Sequence, residues 1–229
     1  MLTLVLVRHG ESIRNYFTDL AREGHSEPLE THLQTHQDER EWPLTDLGFE
    51  QARVAGGFIR SEFADTFDHG FVSPFLRARE TAEGLGIRLE WTVDERLRER
   101  LWGTYEAGTY TAEQYIEDLK RCSELHWKSP FPDAESVADL EPEARDFLSS
   151  LPHEGAILVV THGGTLGAIE KVLEGNPPHR ALGNCGIIHY ELECRGAAWL
   201  GQARWACPAF GDLHFGPWQT FGESPSKDC

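Results

Sequence analysis

The sequence predicts an α/β fold of three layers: a mostly parallel central sheet, helices on both of its faces, and an antiparallel edge hairpin near the C-terminus. Three observations carry that prediction. Two short apolar runs, Leu2–Val7 and Ala156–Val160, each read as a buried strand, and each runs into a histidine followed by glycine. Strand-like and helix-like segments alternate along the chain, the pattern of parallel strands joined by helical crossovers. The last two strand-like runs, Ile187–Glu193 and Ala197–Ala206, are separated only by the turn at Cys194-Arg195-Gly196, which suits a hairpin. At 229 residues the chain can bury a substantial core as one domain, expected over residues 1–222. Residues 16–42 and 104–140 read as insertions and residues 223–229 as a loose tail.

Taken in order, Leu2–Val7 delivers Arg8 and His9 to a strand's carboxyl end, where open α/β sheets place their ligands. The 16–42 insertion is polar and holds His25, His32 and His36, for which a solvated helical face is a better reading than a metal clip. Phe67–Val72 reads as the next strand, and Ser73-Pro74 as its turn. A helix then opens on Phe75-Leu76-Arg77-Ala78-Arg79-Glu80-Thr81-Ala82. Cations at a helix N-terminus oppose the dipole unless an anion offsets them. Arg79 is expected in solvent and Arg77 pointing inward. Arg88–Trp91 is a further strand, and the 104–140 insertion holds a helix over Ala112–Glu124 and an aromatic run around Trp127 and Phe131. After Ala156–Val160, Thr165–Leu173 has helical spacing with Gly175 as its stop. His162 therefore sits between a strand and a helix N-terminus. Gly163 and Gly164 let the backbone come close there, and first-turn N–H groups favour an anion. Pro208–Trp218 reads as a strap on the domain.

A guanidinium beside an imidazole at a strand end suits phosphate chemistry, because fixed N–H donors bind phosphoryl oxygens while the imidazole attacks phosphorus or moves a proton. The Arg8-His9-Gly10 triplet alone carries little weight, since ordinary residue frequencies yield it in roughly one chain in fifty of this length. Its weight comes from His162 in a matching setting and from Arg77 between them. The formal net charge of −17 argues against nucleic acid or an anionic membrane as a partner, and requires any phosphate site to concentrate positive charge locally. No apolar run reaches membrane-spanning length, and no basic leader precedes the first strand. Five cysteines without paired spacing suggest reduced thiols and a cytoplasmic setting. No catalytic metal and no cofactor is expected: the arginines would repel a cation, and neither a cysteine pair nor an HExxH spacing occurs.

Arg8-His9-Gly10-Glu11-Ser12, Ser73-Pro74-Phe75-Leu76-Arg77-Ala78 and Thr161-His162-Gly163-Gly164 resemble the motifs of the histidine phosphatase superfamily, the phosphoglycerate-mutase-like proteins, in its phosphatase branch. Pro43–Ala52 resembles the family's helix-opening segment and Leu97–Glu106 its acid motif. The five stand in the family's order, so the resemblance runs from the first strand to about Gly175. It implies a phosphoglycerate-mutase-like fold and a metal-independent phosphomonoester hydrolase with a small-molecule phosphate ester as substrate. His9 would be the nucleophile that forms a phosphohistidine, Arg8, Arg77 and His162 would hold the phosphoryl oxygens, and Glu99 would protonate the leaving oxygen and then activate water. Gly163 and Asn15 would contact the phosphate, although Asn15 could equally cap a helix or turn, and Glu99 could equally lie in a solvated charged turn. The insertions would act as lids, with Trp102, Tyr105, Trp127 and Phe131 lining the site or serving as core. Two departures bear on the substrate side: Asp133-Ala134-Glu135-Ser136 where many relatives carry Gly-Gly-Glu-Ser, and Tyr105-Glu106-Ala107 where the acid motif normally ends in glycine. Two alternatives stay open. One is a cofactor-dependent phosphoglycerate mutase, disfavoured because Glu99-Arg100-Leu101-Trp102-Gly103 stands where mutases carry an Arg-His-Tyr-Gly run. The other is a non-catalytic phosphate-ester-binding module. The oligomeric state and the physiological substrate are left open.

Overall fold

In the computed structural model a seven-stranded sheet is flanked by helices on both faces. Residues 1–35, 38–64, 66–102, 111–114, 116–117, 120, 134–175, 182–195, 198–206, 208–209, 214–215 and 219–220 are described. The strands are β1 (Leu2–Arg8), β2 (His69–Val72), β3 (Trp91–Val93), β4 (Gly155–Thr161), β5 (Ile187–Arg195), β6 (Ala198–Ala206), β7 (Pro208–Ala209), β8 (His214–Phe215) and β9 (Gln219–Thr220). The sheet order is β3-β2-β4-β1-β5-β6-β9, with β7 and β8 forming a separate two-stranded ribbon. β3, β2, β4 and β1 pair in parallel, and β5, β6 and β9 add antiparallel, so that β6 again runs with the parallel set. The expected hairpin is present as β5–β6. A strand from the Pro208–Trp218 neighbourhood onward, β9, pairs outside it.

Alternation of apolar residues along β1 and β4 divides the core into the two faces that a three-layer fold requires. Leu2, Leu4, Leu6, Ile157 and Val159 face one side, where they pack with Phe147, Leu148, Leu166 and Ile169 of helices α5 (Glu141–Ser149) and α6 (Gly163–Glu174). Val5, Val7, Leu158 and Val160 face the other, against Ala52, Ala55, Ile59, Ala78 and Ala82 of α3 (Asp46–Phe63) and α4 (Leu76–Gly84). Thr45 caps α3 by accepting from the Gly48 N–H, and Gly175 ends α6 in a positive-φ conformation, as its glycine foretold.

Some element starts differ from the sequence reading, and the strand expected over Phe67–Val72 begins at His69. The strand expected over Arg88–Trp91 begins at Trp91, because ladder pairing with β2 starts at Gly70↔Trp91; Ile87 and Leu89 are apolar because they pack on the α3–α4 side of the core, not because they are paired. The last crossover helix starts at Gly163, two residues before the apolar spacing begins.

The 16–42 insertion opens inside helix α1 (Ile13–Arg22) and continues through α2 (Glu27–Thr35) and a 3₁₀ turn at Glu39–Glu41. His25 is exposed, but in the turn between α1 and α2 and not on the helical face expected of it; the His32 side chain and His36 lie outside the described residues. Of the helix expected over Ala112–Glu124, residues 112–114, 116–117 and 120 are described and helical. The two insertions meet: Leu29 and Ala112 are fully buried together, with Phe17, Ala21, Trp102, Ile116 and Ala134 packed around them. No described helix is long and apolar enough to cross a membrane.

Candidate active site

The carboxyl ends of β1 and β4 are adjacent in register, Arg8 opposite Thr161, so His9 and His162 emerge side by side. Their rings lie 5.1 Å apart. Arg77, from the first turn of α4, reaches the same point, and its Nε–H donates to His9 Nε2 at 3.3 Å. His9, Arg77, His162 and Glu99 are 4%, 4%, 0% and 9% exposed. The structure therefore brings together residues singled out in four separate motifs. Arg79, by contrast, is in solvent.

The orientation of His9 follows from its neighbours. Its Nδ1 lies 2.7 Å from the Gly10 carbonyl oxygen. A carbonyl can only accept, so Nδ1 carries the proton and Nε2 presents its lone pair, which the Arg77 N–H meets. Burial, then the charges of Arg77 and Arg8, hold the imidazole's pKa well below its ordinary value, and the ring is neutral at pH 7. His162 is held in the same direction, by burial first and then by Arg77, His9 and Arg8. Its Nε2 lies 2.7 Å from Ser73 Oγ. The Phe75 N–H donates to the same oxygen, which leaves the Ser73 hydroxyl one lone pair and one proton to share with the ring. His162 Nδ1 and Arg8 Nε are both buried without a hydrogen-bond partner. Among the described residues these are two unmet buried polar atoms, which cost on the order of 1–3 kcal/mol each, and a bound group that partners them removes that cost.

Arg8 is anchored by a hydrogen bond from Nη1 to the Leu182 carbonyl. Arg77 spends Nη1 on the Glu39 carbonyl at 2.7 Å, and burial lowers its pKa to about 10, still charged at neutral pH. Glu99 sits at the start of α6: its carboxylate accepts from the Gly164 N–H at 3.3 Å and from the Arg100 N–H at 2.9 Å. A Cβ on Gly164 would collide with Glu99 Oε1, which is why the second glycine is needed. Asn15 does the capping work: it forms a reciprocal capping box with Ser12 at the start of α1, and its Oδ1 also accepts from Asn184. Gly163 opens α6 beside Arg8.

The departure at Asp133-Ala134 leaves the acid segment's support intact. Glu135 binds Arg98 through both oxygens, at 2.6 and 2.7 Å, and accepts from the Leu101 N–H, while Ala134 packs on the insertion cluster. Asp133, Tyr105, Glu106, Ala107, Trp127 and Phe131 lie outside the described residues. Trp102 packs on the Leu29–Ala112 cluster and is stacked by Arg100 at 4.0 Å.

Sequence reading missed several supports. Thr81 accepts from the Gly10 N–H and donates to the Arg77 carbonyl, joining two site segments, and Asn184 and Cys185 both donate to the His9 carbonyl. Thr81 was within a quoted segment; Asn184 and Cys185 follow no motif. Among the described residues no group of three His, Cys, Asp or Glu side chains gathers as a metal site.

Known proteins give the same picture. The sequence profile of the histidine phosphatase superfamily, branch 1, matches residues 4–203. A protein of Hydrogenobacter thermophilus provisionally named phosphoserine phosphatase 2 is 35% identical over 166 residues, covering 66% of this chain and 77% of that one. One of Yersinia enterocolitica provisionally named phosphoglycerate mutase is 28% identical over 226 residues, 93% of this chain and 94% of its own. The crystal structure of Entamoeba histolytica phosphoserine phosphatase in complex with 3-phosphoglyceric acid superposes with a TM-score of 0.59 at 25% identity, covering 83% of this chain and 91% of that one. With its two strand-end histidines and inward arginine in place, and the profile matched over most of its length, this chain belongs to the histidine phosphatase superfamily.

Proposed function

We propose that this protein is a metal-independent phosphomonoesterase that works through a phosphohistidine on His9. The observation that carries this reading is the orientation of His9: its Nδ1–H is committed to the Gly10 carbonyl, and its Nε2 lone pair lies in a buried cationic pocket. In the first step the hydrogen bond from the Arg77 Nε–H passes from His9 Nε2 to a phosphoryl oxygen, and the freed Nε2 attacks phosphorus in line, forming the N–P bond as the P–O bond to the alcohol breaks. Arg8, Arg77, His162 and the Gly163 N–H at the α6 N-terminus bind the phosphoryl oxygens and offset their growing charge. Glu99, protonated when the ester binds, gives its proton to the leaving alkoxide. It then takes a proton from water, which attacks phosphorus, releasing phosphate and restoring neutral His9. Asn15 reaches this centre through Asn184, whose amide also holds the His9 carbonyl. The buried Cys185 thiol fits a reducing, cytoplasmic location.

Phosphoserine heads the substrate panel, because relatives bear that activity in their names. The mutase reading draws on several Yersinia relatives, whose names carry that activity. The test is hydrolysis of p-nitrophenyl phosphate and phosphoserine in EDTA by wild type and His9→Ala. Turnover that survives chelation and disappears in the variant is expected. Transfer to 3-phosphoglycerate with little free phosphate would favour the mutase. Tight ester binding without turnover would favour a binding module.

A further inference from the structure

We infer that Arg14 and Glu39 form a strut that sets the orientation of Arg77, making both of them positioning residues of the phosphoryl pocket; this rests on the reading of Arg77 as a phosphoryl-binding group. Glu39 lies in the 3₁₀ turn that closes the 16–42 insertion, and its backbone carbonyl accepts the Arg77 Nη1–H at 2.7 Å. Its carboxylate, 3% exposed, pairs with Arg14 Nη1 at 3.2 Å. Arg14 is the second residue of α1, the helix that follows the Arg8–Ser12 segment, and is itself only 8% exposed. Its guanidinium lies 4.3 Å over the Trp42 ring and 5.3 Å from Trp102.

Stability alone does not account for this arrangement. A cation in the first turn of a helix opposes the dipole, and α1 has no acidic residue there to offset it. Burying an ion pair brings a desolvation cost that well-packed apolar side chains avoid, so such pairs are weak stabilisers. What the pair does achieve is direction. It ties the turn bearing the Glu39 carbonyl to the helix that begins at the nucleophile loop, and the two tryptophan faces fix the guanidinium in one plane. One Arg77 donor is thereby committed to the backbone, and Nε is aimed at His9. The insertion thus contributes to the pocket through a backbone acceptor, not only as a covering segment.

The experiment compares wild type, Arg14→Met, Glu39→Gln and the double variant, with Arg53→Met on the exposed face of α3 as control. Three readouts are used: calorimetric binding of inorganic phosphate, kcat and KM for p-nitrophenyl phosphate, and the acid limb of the pH–rate profile. His9 faces Arg77, Arg8 and His162, so an Arg77 that swings away lets the His9 pKa rise and moves the acid limb to higher pH. Each single variant is expected to weaken phosphate binding about 10-fold, to lower kcat more than it raises KM, and to shift the acid limb upward. The double variant should be no worse than either single one, since the pair acts as a unit. If Arg14→Met does not fold, Arg14→Lys replaces it, keeping the charge but losing the stacked fork. Folded variants with wild-type phosphate affinity and an unmoved acid limb overturn the inference. A wild type that binds phosphate without hydrolysing it removes the phosphatase reading, while phosphate affinity still tests the strut. A wild type that does not bind phosphate removes both.

Discussion

In the proposed mechanism neutral His9 is the reactive form, and its acidity is set by burial and two guanidinium groups, so the protein should remain active in mildly acidic solution. The sign is direct: protonation removes the Nε2 lone pair, and a depressed pKa postpones that loss to lower pH. The acid limb of kcat/KM is therefore expected below the ordinary imidazole value near 6.5, and an inflection at or above it contradicts the assignment. Ser73→Ala removes the hydroxyl hydrogen-bonded to His162 Nε2. It should lower kcat by about 10–100-fold, with Ser73→Thr closer to wild type, as steady-state kinetics would show. At this scale the sequence was most readable where a residue's place is set by its own strand end or helix start: His9, His162 and Arg77; Glu99, in the loop after a 3₁₀ turn, was legible only through the family motif. It was silent on Asn184 and Cys185, which hold the His9 carbonyl from 175 positions away or more, because a backbone contact leaves no pattern in side-chain chemistry.

Among the elements, close packing at glycine sites makes sharp demands. A Cβ on Gly56 of α3 would run into the Leu85 carbonyl at the end of α4, and neither backbone can move alone. Gly56→Ala should destabilise the fold by about 1–3 kcal/mol, measured by urea unfolding. Gly164→Ala is the contrasting case, since the atom it meets is the mobile end of Glu99. Stability should be nearly unchanged while kcat falls about 10-fold or more; equal kcat would remove Glu99 from its role. Continuous apolar runs in β1 and β4 made these strands legible, because both faces of each are buried and must match two layers. β3 was less so. Ile87 and Leu89 look like strand residues but serve packing, and pairing with β2 alone decides where a short strand starts.

Across the whole molecule, three buried histidines tie stability to pH. His9 and His162 are held well below the ordinary imidazole range, and burial followed by the Arg204 charge lowers His189 to about 4. Below about pH 6.5 the unfolded chain binds protons that the folded chain refuses, so stability must fall as pH drops from there toward 4. Each histidine contributes a slope of up to about 1.4 kcal/mol per pH unit in that window. Urea unfolding at pH 7, 6 and 5 should show the decline, with His189→Asn flattening part of it; a level profile would contradict the burial of these rings in neutral form. The layered architecture could be read from alternation alone. The meeting of the two insertions at Leu29 and Ala112 could not, because nothing local records which distant apolar residue a surface helix will cover.

The covalent step on His9 is tested most directly by rapid quench of the enzyme with phosphoserine labelled in its phosphoryl group, followed by peptide mapping. A transient label is expected on the peptide containing His9, stable to alkali, lost in acid, and missing from His9→Ala. Turnover without any covalent label, or a label on another residue that persists in His9→Ala, would contradict that step.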